Sequence, residues 1–157
     1  MPDESRCHHC DRARRALLLG AVGFVLAPAA RGQATDLPPI AQPPSPSREV
    51  FMRRAFDMRR ISVERGDQAY GAVIVKGGKI VGEGVSAVIT ANDPTAHAEM
   101  QGIRDAARRL GTRDLSGCEM YGTSRACPMC EAGAYWARIS RMYYGEGIAD
   151  AGEPKLR

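Results

Sequence analysis

The chain has 157 residues, 44% of them hydrophobic, with 22 basic and 18 acidic side chains and a formal net charge of +4. That length suits one domain rather than two, and the hydrophobic fraction excludes wholesale disorder. Five cysteines are too few for a disulfide-dense miniprotein and enough for a metal site.

Arg12, Arg14 and Arg15 precede an apolar run from Ala16 to Ala30, interrupted by Gly20, Gly23 and Pro28. The run is short and broken for a membrane span. A basic region, an apolar region and a small-residue exit read as a secretory signal over residues 1–34, cut after Ala34. The Arg14-Arg15 pair gives it a twin-arginine character and predicts a periplasmic protein with no membrane span after processing. Within this segment, Cys7-His8-His9-Cys10 offers four donors. Adjacent side chains do not readily close a tetrahedron around one ion, so no metal is assigned there.

Residues 35–47 absorb half of the ten prolines and read as an extended linker. The folded domain is then residues 48–157. Residues 35–157 carry seventeen Lys plus Arg against fifteen acids. So even a balance argues for a small-molecule substrate and against nucleic acid as partner.

From Arg48 to Arg65, Phe51, Ala55, Met58 and Ser62 share one stripe, which predicts an amphipathic helix. Tyr70–Val75 and Lys79–Val85 flank Gly77-Gly78, which predicts a hairpin. Asn92-Asp93-Pro94-Thr95 announces a second helix, which Gly111 stops. Glu119–Gly122 reads as a strand, and Pro128 opens a third helix running through Ala134, Trp136 and Ile139. Arg141–Tyr144 completes a strand–helix–strand crossover. Cys118, Trp136, Tyr143 and Tyr144 are expected in the core or on a sheet face.

His97-Ala98-Glu99 opens one helix and Cys127-Pro128-Met129-Cys130 the next. Either half alone is common, and the CxxC pair by itself also fits a thiol–disulfide protein. Together they are far more specific. Helix side chains tilt toward the N-terminus, so first-turn residues of two helices can converge on one ion. His97, Cys127 and Cys130 supply three ligands and leave the fourth zinc position open, as catalytic sites require. Glu99 is placed to move protons without binding the metal.

H-x-E followed by C-x-x-C is the signature of zinc deaminases. Asp93-Pro94-Thr95-Ala96-His97-Ala98-Glu99, Cys127-Pro128-Met129-Cys130 and Ala134-Tyr135-Trp136-Ala137 resemble the cytidine/deoxycytidylate deaminase superfamily, nearest its guanine deaminase and tRNA adenosine deaminase branch. The resemblance runs from Val50 to Tyr144. It implies an α/β protein with a three-layer α/β/α deaminase-like fold and a mixed sheet of about four strands, short at the C-terminus. It implies a Zn2+-dependent hydrolase acting on a C–N bond of a cyclic amidine. His97, Cys127 and Cys130 would bind zinc. Glu99 would be the proton shuttle as activated water attacks the amino-bearing carbon. Ala72, Ser86 and the backbone N–H of Ala98 would contact the substrate. A guanine-like base is the first expectation for that substrate, within nucleobases, nucleosides and related amino-heterocycles. The alternatives are a catalytically idle zinc-stabilised binding protein of the same fold, or a tRNA adenosine deaminase.

The sequence departs from the family pattern at several places. Arg125-Ala126 stand where Glu-Pro is usual, Ser86 where an Asn grips the base, and Ala69-Tyr70 where Pro-Phe is usual. Only twelve residues follow Gly145, which predicts that the last helix–strand unit is missing and that a homodimer covers the open side.

Overall fold

The computed structural model describes residues 38–156; the expected signal segment and its Cys-His-His-Cys tract lie outside them. Three helices and five strands follow in order: α1 Arg48–Glu64, β1 Gly71–Lys76, β2 Lys79–Val85, α2 Ala98–Leu110, β3 Cys118–Gly122, α3 Pro128–Trp136, β4 Arg141–Tyr144 and β5 Ala149–Gly152. The sheet order is β2-β1-β3-β4-β5. β3 and β4 are parallel, as the α3 crossover requires, and the other neighbours are antiparallel.

Alternation along the strands divides the core between two faces. Val73, Val75, Tyr121 and Tyr143 pack against Phe51, Met52, Ala55 and Met58 of α1. Ile74, Met120 and Met142 pack against Ile103 and Ala106 of α2 and Ala134 of α3. The result is the expected three-layer α/β/α arrangement with a mixed sheet.

α1 follows its predicted stripe: Phe51, Ala55, Met58 and Ser62 are buried, together with Met52. The Ser47 hydroxyl caps it by accepting from Val50 N at 3.3 Å. Gly77 and Gly78 both take positive φ, 55° and 76°, which a two-residue hairpin turn needs. α2 lies close on β2 because Gly82 and Gly84 present no side chain to it; a Cβ at Gly82 would be 2.7 Å from the Ala106 amide nitrogen.

Several expectations are revised. α2 starts at Ala98, not near Asn92. Asp93 turns the chain instead, its Oδ1 accepting from Thr95 N and Thr95 Oγ1, each at 2.7 Å. α3 ends at Trp136, short of Ile139, and Trp136 is 73% exposed rather than in the core. The sheet gains a fifth strand, β5, which turns back through Gly145–Ile148 and pairs antiparallel with β4. The described part of the proline-rich segment is docked. The Gln42 side-chain amide donates to Ile80 O and accepts from Ile80 N, both at 2.8 Å. Ile40 packs against the core beneath α1, and Pro38 O accepts from Arg109 at 2.7 Å. On the same outer strand, Glu83 N donates to Asp105 Oδ2 of α2 at 3.0 Å. Among the described residues no helix is long and apolar enough to cross a membrane.

Candidate metal and catalytic centre

Two helix starts meet at one point. His97 is the N-cap of α2 and Cys127 the N-cap of α3, with Pro128 at the first helical position. Pro suits that place because its missing N–H would have no helical partner. Neither N-cap side chain makes a capping hydrogen bond to its own helix, so both can turn toward each other.

They converge with Cys130. His97 Nδ1 lies 3.7 Å from Cys127 Sγ and 3.6 Å from Cys130 Sγ, and the three donor atoms all lie within 4.8 Å of one another. Zinc bonds of about 2.3 Å to sulfur and about 2.0–2.1 Å to nitrogen give a tetrahedral N–S edge of about 3.6 Å. The spacing therefore fits zinc, and two thiols with one imidazole are a donor set that zinc favours.

Glu99, the second residue of α2, is 6% exposed, and its Oε2 lies 3.7 Å from Cys130 Sγ. Its side chain rests over Gly122 of β3, where a Cβ would stand 3.8 Å from Glu99 Cγ. Burial pushes the Glu99 carboxyl above its ordinary value, against a backbone hydrogen bond and the neighbouring His97 and Cys130. Burial also pushes the Cys130 thiol far up, helped by the charge of Glu99 and by Cys127. Ionising that thiol calls for a cation beside it, which a metal supplies.

A cavity of about 260 Å³ opens on this cluster, lined by His97, Glu99, Cys127, Gln68, Tyr70, Ser124 and Arg125. Larger hollows exist, but one of about 650 Å³ beside Tyr135 and Trp136 contains no part of the cluster. Chemistry rather than size marks the candidate site.

The expected substrate contacts are placed unevenly. Ala98 opens α2 between His97 and Glu99. Ala72 is fully buried in β1 and does not line the cavity. Ser86 is also off the cavity, because its hydroxyl donates to Asp67 Oδ1 at 2.8 Å. Gln68, Tyr70 and Ser124 supply the wall instead, and none of them was singled out as a substrate contact from the sequence. Their signal would have been proximity in the α1–β1 and β3–α3 loops, which flank the motifs. Cys118 is wholly buried among the core residues under α2 and α3.

Residues 45–146 match the family described as the cytidine and deoxycytidylate deaminase zinc-binding region. Guanine deaminase of Bacillus subtilis is 43% identical over 106 residues, covering 67% of this chain and 68% of that protein. The tRNA-specific adenosine deaminase of Aquifex aeolicus is 39% identical over 97 residues, covering 62% and 64%. The X-ray structure of guanine deaminase from Bacillus subtilis matches the fold with a TM-score of 0.61 at 43% identity, covering 63% of this chain and 64% of that one. The matched region thus spans about two thirds of these relatives. A family match over most of the described residues, on a fold that gathers a zinc-competent donor set, places the chain in the cytidine and deoxycytidylate deaminase family of zinc enzymes.

Proposed function

We propose that the chain is a hydrolytic deaminase of an amino-bearing nucleobase or related heterocycle, with a guanine-like base first. The observation that carries this is the buried Glu99 carboxyl beside His97, Cys127 and Cys130, with Glu99, His97 and Cys127 lining one cavity.

His97 Nδ1, Cys127 Sγ and Cys130 Sγ would hold the metal. Bound zinc supplies the Lewis acidity that brings a water's pKa down to about 7. Glu99 takes a proton from the attacking water and delivers it to the ring nitrogen. It then takes the second proton from the hydroxyl added to that carbon and passes it to the amine as the C–N bond breaks. Water is consumed, the amino-bearing carbon gains a carbonyl and ammonia leaves. Burial of Glu99 favours this work, since a raised pKa lets one carboxyl both accept and return a proton.

Cavity size favours a single base. At about 260 Å³ it falls just short of the about 300–1,000 Å³ of drug-sized pockets. The near-even charge of residues 35–157 offers little attraction to a tRNA backbone. Gln68, Tyr70, Ser124 and Arg125 would read the edge of the ring, with Arg125 favouring a substrate rich in acceptors.

The test is ammonia release from guanine, adenine, cytosine, their nucleosides and amino-triazines by the zinc-loaded protein. Release from a free base, absent in Glu99→Gln, supports the proposal. Silence across the panel from fully loaded protein would leave the idle binding protein as the better reading.

Two further expectations stay part of the proposal. A homodimer would cover the exposed Tyr135–Trp136 edge-to-face pair, and sedimentation reads its mass. Export by the twin-arginine route would let zinc occupy both thiols before they meet an oxidising compartment. Changing Arg14 and Arg15 together to Lys should retain the protein in the cytoplasm, and normal export of that variant would defeat the idea.

A further inference from the structure

Asp67 is a buried carboxylate without a cation. It is 8% exposed, and among the described residues no Lys, Arg or His lies within ion-pair distance of it. Six hydrogen bonds satisfy it instead. Oδ1 accepts from Gln68 N at 2.8 Å, Ser86 Oγ at 2.8 Å and Val88 N at 3.1 Å. Oδ2 accepts from Ile89 N at 3.0 Å, Thr90 N at 2.8 Å and Thr90 Oγ1 at 2.9 Å. Burying a charge is costly unless its partners are this complete.

The six donors belong to two segments, one that reaches the candidate site and one that leads to it along the chain. Gln68 lines the cavity. Residues 86–90 begin the loop that ends in His97. Within that loop, Asp93 N donates to Val88 O at 3.1 Å and Ala87 N to Ala96 O at 3.0 Å. A fixed 86–90 segment therefore fixes Ala96, the residue before His97. On its other side Asp67 is anchored to α1, with its own N–H donating to Ser62 O at 3.0 Å and the Ser62 hydroxyl donating to Gln68 O.

We infer that Asp67 is a positioning residue: its carboxylate sets the placement of His97 toward the metal and of Gln68 in the cavity wall. The inference rests on the proposed metal site, so its test reads the metal directly. Asp67→Asn keeps the size of the side chain but turns an amide donor toward Ile89 N and Thr90 N, which are donors themselves, and toward Thr90 Oγ1, which must rotate to accept. Two backbone bonds are lost and like groups face each other.

The experiment loads the full chain with Co2+ in place of zinc. It records the visible ligand-field and thiolate charge-transfer bands, and measures Co2+ affinity by chelator competition. Wild type should show the bands of a tetrahedral site with thiolate ligands. Asp67→Asn should shift or weaken those bands and bind Co2+ about tenfold less tightly, as supporting groups around metal ligands typically do when altered. Thr90→Val removes one donor and leaves the carboxylate in place; it should move both readouts the same way by less, and it serves if Asp67→Asn does not fold. Asp114→Asn is the control. It disturbs a carboxylate that accepts from Ser116 and Arg138 and does not line the cavity, so it should lower the melting temperature without changing the spectrum. Wild-type bands and affinity in folded Asp67→Asn, or in folded Thr90→Val where Asp67→Asn fails to fold, would overturn the positioning role while leaving the metal site standing. Absence of thiolate bands in the wild type would overturn the metal site itself.

Discussion

A Cβ placed on Gly84 of β2 would lie 1.9 Å from the carbonyl oxygen of Ala98, the first residue of α2. Backbone meets backbone there, with no flexible side chain to yield. Gly84→Ala must push the start of α2 off the sheet. Overpacking of this kind costs about 1–3 kcal/mol or more, and each kcal/mol lowers the melting temperature by roughly 2–8 °C in domains from about 60 to about 250 residues. His97 and Glu99 ride on the displaced end, so zinc affinity should fall as well. A thermal melt with a zinc titration checks both, and unchanged affinity would show that the site tolerates the shift.

Glu99→Gln preserves shape and removes the proton carrier. Zinc content and melting temperature should stay near wild type while turnover falls about 100-fold or more. Metal analysis beside an ammonia assay decides it. An active variant would assign the proton to another group.

Removing one ligand should be distinguishable from removing one core thiol. Cys127→Ala leaves His97 and Cys130 as donors, so bound zinc should drop well below one per chain. Stability should fall with it, since bound metal adds to native-state stability. Cys118→Ala should keep its zinc and lose only packing, about 1 kcal/mol. Equal zinc in the two variants would sink the ligand assignment.

Acid should release the Asp67 clamp. Burial raises the Asp67 carboxyl, but hydrogen bonds from Thr90, Ser86 and Gln68 together outweigh it and hold the group well below its ordinary value of 3.8. The unfolded chain therefore binds the proton first as pH falls. The group's contribution is complete at pH values above that ordinary value. It declines below it and vanishes as pH passes the folded-state value. Melting temperatures of wild type and Asp67→Asn should thus differ most near neutrality and converge toward pH 2. A constant gap across that range would contradict the linkage.

The elements most legible in the sequence were those whose signal is local. The stripe of Phe51, Ala55, Met58 and Ser62 reports a helix lying on a sheet. His97-x-Glu99 and Cys127-x-x-Cys130 report the centre because metal ligands have fixed spacing at helix starts. What escaped depends on distant partners. Ala149–Gly152 carries no strand-forming side chains, and pairing with β4 makes it a strand. Asp67 looks like an ordinary loop acid until residues 86–90 fold over it. Ser86 reads as a substrate contact by its place in the motif, but Asp67 claims its hydroxyl. Trp136 sits beyond the last buried turn of α3, where hydrophobicity alone misplaces it.

The Gln42 amide on Ile80 and the Asp105 carboxylate on Glu83 have a consequence for how copies of this protein meet. Outermost strands ordinarily present free N–H and C=O groups that recruit a strand from another chain and seed aggregation. On β2 the amide hydrogens of Ile80 and Glu83 are already taken by side chains of the same molecule. Gln42 also satisfies the Ile80 carbonyl, so one side chain imitates a residue of a neighbouring strand. At the other end of the sheet, β5 is only four residues long, and its Asp150 pairs with Arg141 of β4. Edge-to-edge stacking is thereby disfavoured at both ends of the described sheet.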